Sequence, residues 1–276
     1  MKYAFSLFAF LLLQFNLQAQ EMEVMSYNIK FANETDGENS WSKRKEHLTN
    51  QIKFYEPHIL GVQEAVISQL KHFENEMEDY KYIGVGRDDG KKAGEFSAIF
   101  YDLRKVDILD EGTFWLSETP GEVSVGWDAA MERVCTYGKF REKDSDKKFW
   151  VFNTHFDHIG KEARENSARL IYEKISELNT EGLPVVLMGD LNLEPDAPGI
   201  KFLSEKMNDS KKVADLDFGP EGTFNAYDFS KPVKRRIDYI FTSDDIKVLK
   251  YAVLSDSWEL KYPSDHLPVF VKLELE

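Results

Sequence analysis

Short runs of Val, Ile, Phe and Tyr, each bounded by polar residues, recur along most of the chain. They read as β-strands, because branched and aromatic side chains suit a pleated, half-buried surface. The runs are EVMSYNI, HILGVQE, FSAIFY, RVCTYGKF, KFWVFNTH, PVVLMGD, RIDYIFT and HLPVFVKLE. Two stretches follow a helical period instead. Leu48, Ile52 and Tyr55 share a face after Trp41, and Ala163, Ser167, Leu170, Ile171, Ile175 and Leu178 share another after Gly160. Gly182 ends the second stretch and Pro184 opens the next strand. Strands interspersed with helices predict an α/β fold with helices packed outside sheets.

The first apolar run differs from the rest. It extends from Tyr3 to about Leu13, follows Lys2 and precedes Leu17-Gln18-Ala19. That is a signal-peptide pattern, with cleavage after Ala19 or Gln20. The run is short for a membrane span, and Gln14 and Asn16 follow it. Residues 1–20 are therefore expected to be a leader, residues 21–276 one domain, and the mature protein secreted or periplasmic. No Cys follows the run to carry a lipid, and no later segment is apolar enough to cross a bilayer.

Composition narrows the function. Hydrophobic residues make up 42% of the 276 and aromatics 13%, enough for a sizeable core. Cys135 is the single cysteine, so no intramolecular disulfide can form, and a buried thiol in a strand is expected. The net charge is -14. A protein that tracks a polyanion usually carries a basic surface, so extended nucleic acid is disfavoured as a partner. Small substrates, or cations held by carboxylates, fit better. No amphipathic membrane-docking segment stands out, and a monomer is expected.

The polar residues at the strand ends are chemically selective. Asn28, Glu64, His155 and Asp190 close their runs, with Asn192 two residues past Asp190. Asp238 comes early in RIDYIFT, and Asp265 and His266 precede LPVFV. If these last two strands run against the other four, every one of these positions reaches one edge of the sheets. Mixed sheets of this kind are common, and ligands of α/β proteins lie beyond strand ends. A single polar residue at a strand end simply meets solvent, and Asn28 or Asn192 alone suits a turn or cap. As a set they are groups that ligate cations or transfer protons.

In order, MSYNIK, GVQE, NTHFDH, GDLN, RIDYIF and SDHLPV resemble the endonuclease/exonuclease/phosphatase superfamily, whose fold is that of DNase-I-like nucleases. GDLN followed by SDH is the specific part. The stretches FANETDGENSWSKRKEH, GRDDGKKAGEFSAIFY and GTFWLSETP look like a secreted bacterial branch of metal-dependent hydrolases. The resemblance implies a four-layer α/β sandwich, with two mixed β-sheets face to face and helices outside. It implies a divalent cation at Asn28, Glu64 and Asp265, held directly or through water. Hard oxygen ligands select Mg²⁺, or Mn²⁺, with Ca²⁺ also compatible. It implies a His266 against the phosphate, oriented by Asp238, and an Asp190 that activates water. Asn192 and His155 are then expected to hold phosphoryl oxygens, and Arg133 to contact phosphate, although a surface ion pair suits Arg133 equally.

Other residues carry weaker readings. His155 and His158 have a zinc-like spacing, but no third nitrogen or sulfur ligand accompanies them. His47, His58 and His72 read as surface or helix residues. Trp115, Trp127 and Trp150 read as core, and Trp127, in the loop before the Arg133 strand, is also placed to line the cleft. GRDDGKKAGEF reads as a flexible surface loop whose Arg87 and Glu95 are within reach of a substrate.

The expected activity is an exported, metal-dependent phosphoester hydrolase, with a phosphodiester favoured over a monoester by resemblance. Alternatives are a nuclease on DNA or RNA, or a sphingomyelinase-like phospholipid hydrolase. A binding module with a decayed site is disfavoured, because all of the motifs are intact.

Overall fold

A computed structural model describes residues 21–275; the leader expected over residues 1–20 lies outside the described residues. Seven strands form the first sheet: β1 (Glu21–Asn28), β2 (Ile59–Ala65), β3 (Tyr80–Ile83), β4 (Phe96–Asp102), β10 (Leu216–Phe218), β12 (Ile246–Val253) and β13 (Val269–Leu275). Their order is β10-β12-β13-β1-β2-β4-β3. Six form the second: β5 (Val106–Trp115), β6 (Val134–Glu142), β7 (Lys148–His155), β8 (Val185–Asp190), β9 (Asn208–Asp209) and β11 (Asp238–Thr242). Their order is β5-β6-β7-β8-β11-β9. The helices are α1 (Trp41–Tyr55), α2 (Ile67–Glu76), α3 (Lys161–Leu178), α4 (Pro198–Lys206) and α5 (Ser210–Val213).

Alternation along the strands decides the layers. Val24, Ile59, Ile99, Val151, Val186, Ile240 and Val271 enter one apolar cluster between the sheets. Their neighbours Met25, Leu60 and Phe100 face outward against Leu48 and Ile52 of α1 and Leu70 and Phe73 of α2. Phe152, Leu187 and Phe241 face outward on the other side, against Ile171 and Ile175 of α3 and Ile200 and Leu203 of α4. Three clusters separate four layers, helix, sheet, sheet and helix, as the resemblance implies.

Strand direction sets where the polar ends go. β1 runs parallel to β2, and β7 parallel to β8. β13 runs antiparallel to β1, and β11 antiparallel to β8. The two late strands therefore begin where the four early ones end. A polar staple joins the sheets just beneath that edge: Gln63 Nε2 donates to Asn153 Oδ1 at 2.7 Å, and Asn153 Nδ2 donates to the carbonyls of Val62 and Ala98. Cys135 is buried in β6, and Trp115 and Trp150 belong to the core, as expected. His58 does not lie at the surface. It is buried against Glu23, with Nε2 3.0 Å from the carboxylate, because the chain entering β2 passes beside β1.

Candidate active site

In the second sheet, His155, Asp190 and Asp238 are lateral neighbours in the β7-β8-β11 register. Gly189 makes this possible. It has φ +148°, and a side chain there would collide with the Thr154 carbonyl oxygen. From the first sheet, Glu64 sits at an irregularity in the β2–β4 pairing with φ +60°. Lys30 (φ +54°) and Asn192 (φ +48°) share this left-handed backbone. Such conformations cost an L-residue of order 1–3 kcal/mol and concentrate at functional sites.

Asn28 ties the sheets together. Its Nδ2 donates to Asp190 Oδ2 at 2.9 Å and to Glu64 Oε1 at 3.1 Å. Its Oδ1 accepts the Lys30 backbone N–H. Asn28 thus stands behind the cleft as a strap between two carboxylates. Ser264 Oγ donates to the Asn28 carbonyl at 2.7 Å and so anchors the segment that carries Asp265 and His266.

His266 Nδ1 is 2.9 Å from Asp238 Oδ2, and its Nε2 is 3.7 Å from Asp190 Oδ2. Burial opposes a charge on His266, but Asp238 and then Asp190 push its pKa up to about 10, so the ring is an imidazolium near neutrality. Burial, reinforced by Asp238, pushes Asp190 up to about 7. Asn192 N–H donates to Asp190 Oδ1. The Asn192 amide nitrogen donates to the Phe156 carbonyl and lies 3.1 Å from His155 Nε2. That nitrogen of His155 therefore accepts, and the ring proton belongs on Nδ1. Burial, then Arg133 and Arg87, hold the pKa of His155 well below its usual value, so it is neutral.

Two places bear on a cation. Asp190, Asp238 and His266 bring one potential ligand atom each to within 4.8 Å of one another. There, however, Nδ1 is committed to Asp238, and the imidazolium itself supplies the positive charge. The other place lies between Glu64 and Asp265. Lys30 Nζ is 3.5 Å from Glu64 Oε2 and 3.6 Å from Asp265 Oδ2. Burial opposes the charge of Glu64, but Lys30 holds its pKa below the usual range. Two cleft-facing carboxylates already served by an ammonium are a hard-oxygen donor set that suits Mg²⁺ or a similar ion.

Glu64, Asp265, Asp190, Asn192, His155, His266 and Arg133 all line one cleft of about 420 Å³, with Asn28 and Asp238 behind them. Arg133 contacts Asp157 at 3.4 Å and His158 Nδ1 at 3.0 Å. Trp127 does not line this cleft. It borders a separate hollow with Glu118 and Arg169, because the Glu118 carboxylate takes its backbone N–H and draws the loop away. Arg87 and Glu95 do reach the cleft. Sequence reasoning missed Lys30, Phe224 and Arg235, which also line it, and Arg44, which supports it. Arg44 is only 1% exposed, and its donors go to the carbonyls of Ile29, Lys30, Phe31, Asn39 and Pro263. It was readable only as a basic residue within WSKRKEH.

Comparison with known proteins agrees with this geometry. The endonuclease/exonuclease/phosphatase family matches residues 13–266. A structure of a family member from Bacteroides thetaiotaomicron is 41% identical, covers 94% of this chain and 99% of its own, and superposes with a TM-score of 0.90. A mannosyl-6-phosphatase from the same organism is 42% identical over 91% of this chain and 99% of its own, with a TM-score of 0.89. An uncharacterized protein of Acanthamoeba polyphaga mimivirus is 26% identical, over 92% of this chain and 100% of its own. The fold, the order of the motifs and these matches agree: the chain belongs to the endonuclease/exonuclease/phosphatase family, whose members hydrolyse phosphoester bonds.

Proposed function

We propose that the protein is a divalent-metal-dependent phosphatase of small, hydroxylated phosphomonoesters, sugar phosphates foremost. The observation that carries this reading is the facing of Asp190 and His266 across one cleft, beside the carboxylates of Glu64 and Asp265. Asp190 takes a proton from the attacking water, because its pKa near 7 matches that task. The His266 imidazolium holds a phosphoryl oxygen and is kept charged and oriented by Asp238. Asn192 fixes Asp190 and His155, and His155 offers its Nδ1 proton to the substrate side of the cleft. A divalent cation bound at Glu64 and Asp265 supplies Lewis-acid neutralisation of phosphoryl charge.

The choice of a small monoester reverses the order favoured by resemblance alone. It is supported by the 42% identity to a mannosyl-6-phosphatase. The cleft also has the volume of an ordinary small-molecule pocket, about 300–1,000 Å³. The net charge of -14 weighs against extended nucleic acid. A phosphodiester is the second reading, favoured by an adjoining hollow that shares Phe224 and Arg235 with the cleft and has room for a second alcohol. Export belongs to the same proposal and rests on residues 1–20.

The test is release of phosphate from a panel of sugar phosphates, and of p-nitrophenol from p-nitrophenyl phosphate and bis-p-nitrophenyl phosphate, with Mg²⁺ or with EDTA. Sugar phosphates should be the fastest, and EDTA should silence them. Preferential hydrolysis of the diester or of plasmid DNA would overturn the choice of substrate.

A further inference from the structure

We infer that Arg87, Glu95 and Arg133 form a subsite that reads adjacent hydroxyl groups on the alcohol part of the ester. These residues form the wall of the cleft beyond His155, whose Nδ1 is 3.9 Å from Glu95 Oε2. Arg133 is 4% exposed, and its Nη1 has no hydrogen-bond partner among the described residues. A buried guanidinium N–H left unpaired is costly, so it marks a place for an acceptor. Glu95 receives Arg87 Nη1 on Oε2 at 2.7 Å, while Oε1 accepts no hydrogen bond from a described residue. The wall thus offers an unpaired donor and an acceptor within one cleft.

Charge decides which ligand suits it. The two guanidiniums are already matched by Glu95 at 2.7 Å and Asp157 at 3.4 Å, with Asp88 also 3.6 Å from Arg87. No net positive charge remains to attract a second phosphate. Adjacent hydroxyls, each able to donate and accept, satisfy both groups at once. The wall is also built before any ligand arrives. Arg87 N–H donates to the Glu95 carbonyl at 3.1 Å, Asp88 N–H to that of Ala93, and Trp115 Nε1 to that of Arg87 at 2.8 Å. The loop that reads as flexible in sequence is therefore tied across itself and to β5.

The inference rests on the phosphoester reading for its substrate, so the test has one arm that does not. In the first arm, ligand-detected NMR scans methyl hexosides, which carry no phosphate, at millimolar concentration. At least one should bind the wild-type protein, and the signal should vanish in Glu95→Gln. In the second arm, the ratio of kcat/KM for the best sugar phosphate to that for p-nitrophenyl phosphate should fall at least about ten-fold in Glu95→Gln and in Arg87→Met. Silence of every hexoside, or equal binding to both proteins, would overturn the subsite. An equal loss on both esters would also overturn it, by assigning Glu95 to the support of His155. If neither ester is hydrolysed while hexoside binding follows Glu95, the phosphoester reading fails and the subsite stands.

Discussion

Asp190 and His266 face each other across 3.7 Å, carboxylate oxygen to Nε2, with Asp238 on the far side of the imidazole. Each of the two depends on the same neighbour for its protonation state. Burial and the charge of Asp238 raise Asp190 to about 7. His266 reaches about 10 because Asp238 and Asp190 outweigh its burial. Between those values a proton acceptor and a proton-bearing cation coexist.

The pH profile follows from that pair. On the proposed mechanism activity needs Asp190 unprotonated and His266 protonated, so kcat/KM should rise through about pH 7 and fall above about pH 10. Asp238 raises both values, and Asp238→Asn should therefore move both limbs to lower pH. Limbs that stay in place would rule out the coupling.

Removing a member of the site should cost rate before it costs fold. Asp190→Ala, His266→Ala and Glu64→Ala should each lower kcat by at least about 10²-fold. Circular dichroism should show all three folded. Near-normal rates in all three would reject the assignment.

On the proposed function, a divalent ion would compete with Lys30 for the carboxylates of Glu64 and Asp265. Lys30→Met leaves Glu64 and Asp265 without the ammonium that lies 3.5 and 3.6 Å from them. Without metal this variant should melt below the wild type, and Mg²⁺ should raise its Tm by more than it raises that of the wild type. Differential scanning calorimetry with EDTA and with Mg²⁺ measures both shifts; equal shifts would separate Lys30 from the cation site.

Arg44 is a buried cation held by carbonyl oxygens rather than by a carboxylate. Its partners lie on the chain that follows β1 and on Pro263, two residues before Asp265. Arg44→Met strands several buried acceptors and should lower the unfolding free energy by at least about 3 kcal/mol. Arg44→Lys keeps the charge but cannot reach every carbonyl, and should fall between. Urea denaturation of the three proteins gives the comparison.

The parts of this molecule that were legible in sequence are those where burial and chemistry coincide. Strands that bury both faces, such as VVLMGD in β8, announce themselves, and their polar ends fall together once the antiparallel β11 and β13 are recognised. β5 was not legible, because residues such as Asp110 and Glu111 expose much of it. β12 alternates Lys247 and Lys250 with apolar positions, which blurs a short run. The helix α2 is brief and carries Lys71, Glu74 and Glu76 outward. Within the site, Asp190 and His266 were readable from GDLN and SDH. Lys30 and Arg44 were not, since Lys30 meets carboxylates remote in sequence and Arg44 meets backbone carbonyls, which carry no side-chain signature. The direction of Trp127 was not readable either, because the Glu118 carboxylate nine residues earlier sets it.

Asn28 and Glu64 come from one sheet, whereas His155, Asp190 and Asp238 come from the other. Neither layer can assemble the chemistry alone, and the alignment between them rests on the Asn28–Asp190 and Gln63–Asn153 bonds and on the side chains filling the gap. A slight slip of one layer over the other would part Glu64 from Asp190 while leaving every ladder within each layer whole. Tightness of the interior seam, far below the mouth, thus sets how closely the two halves of the cleft meet.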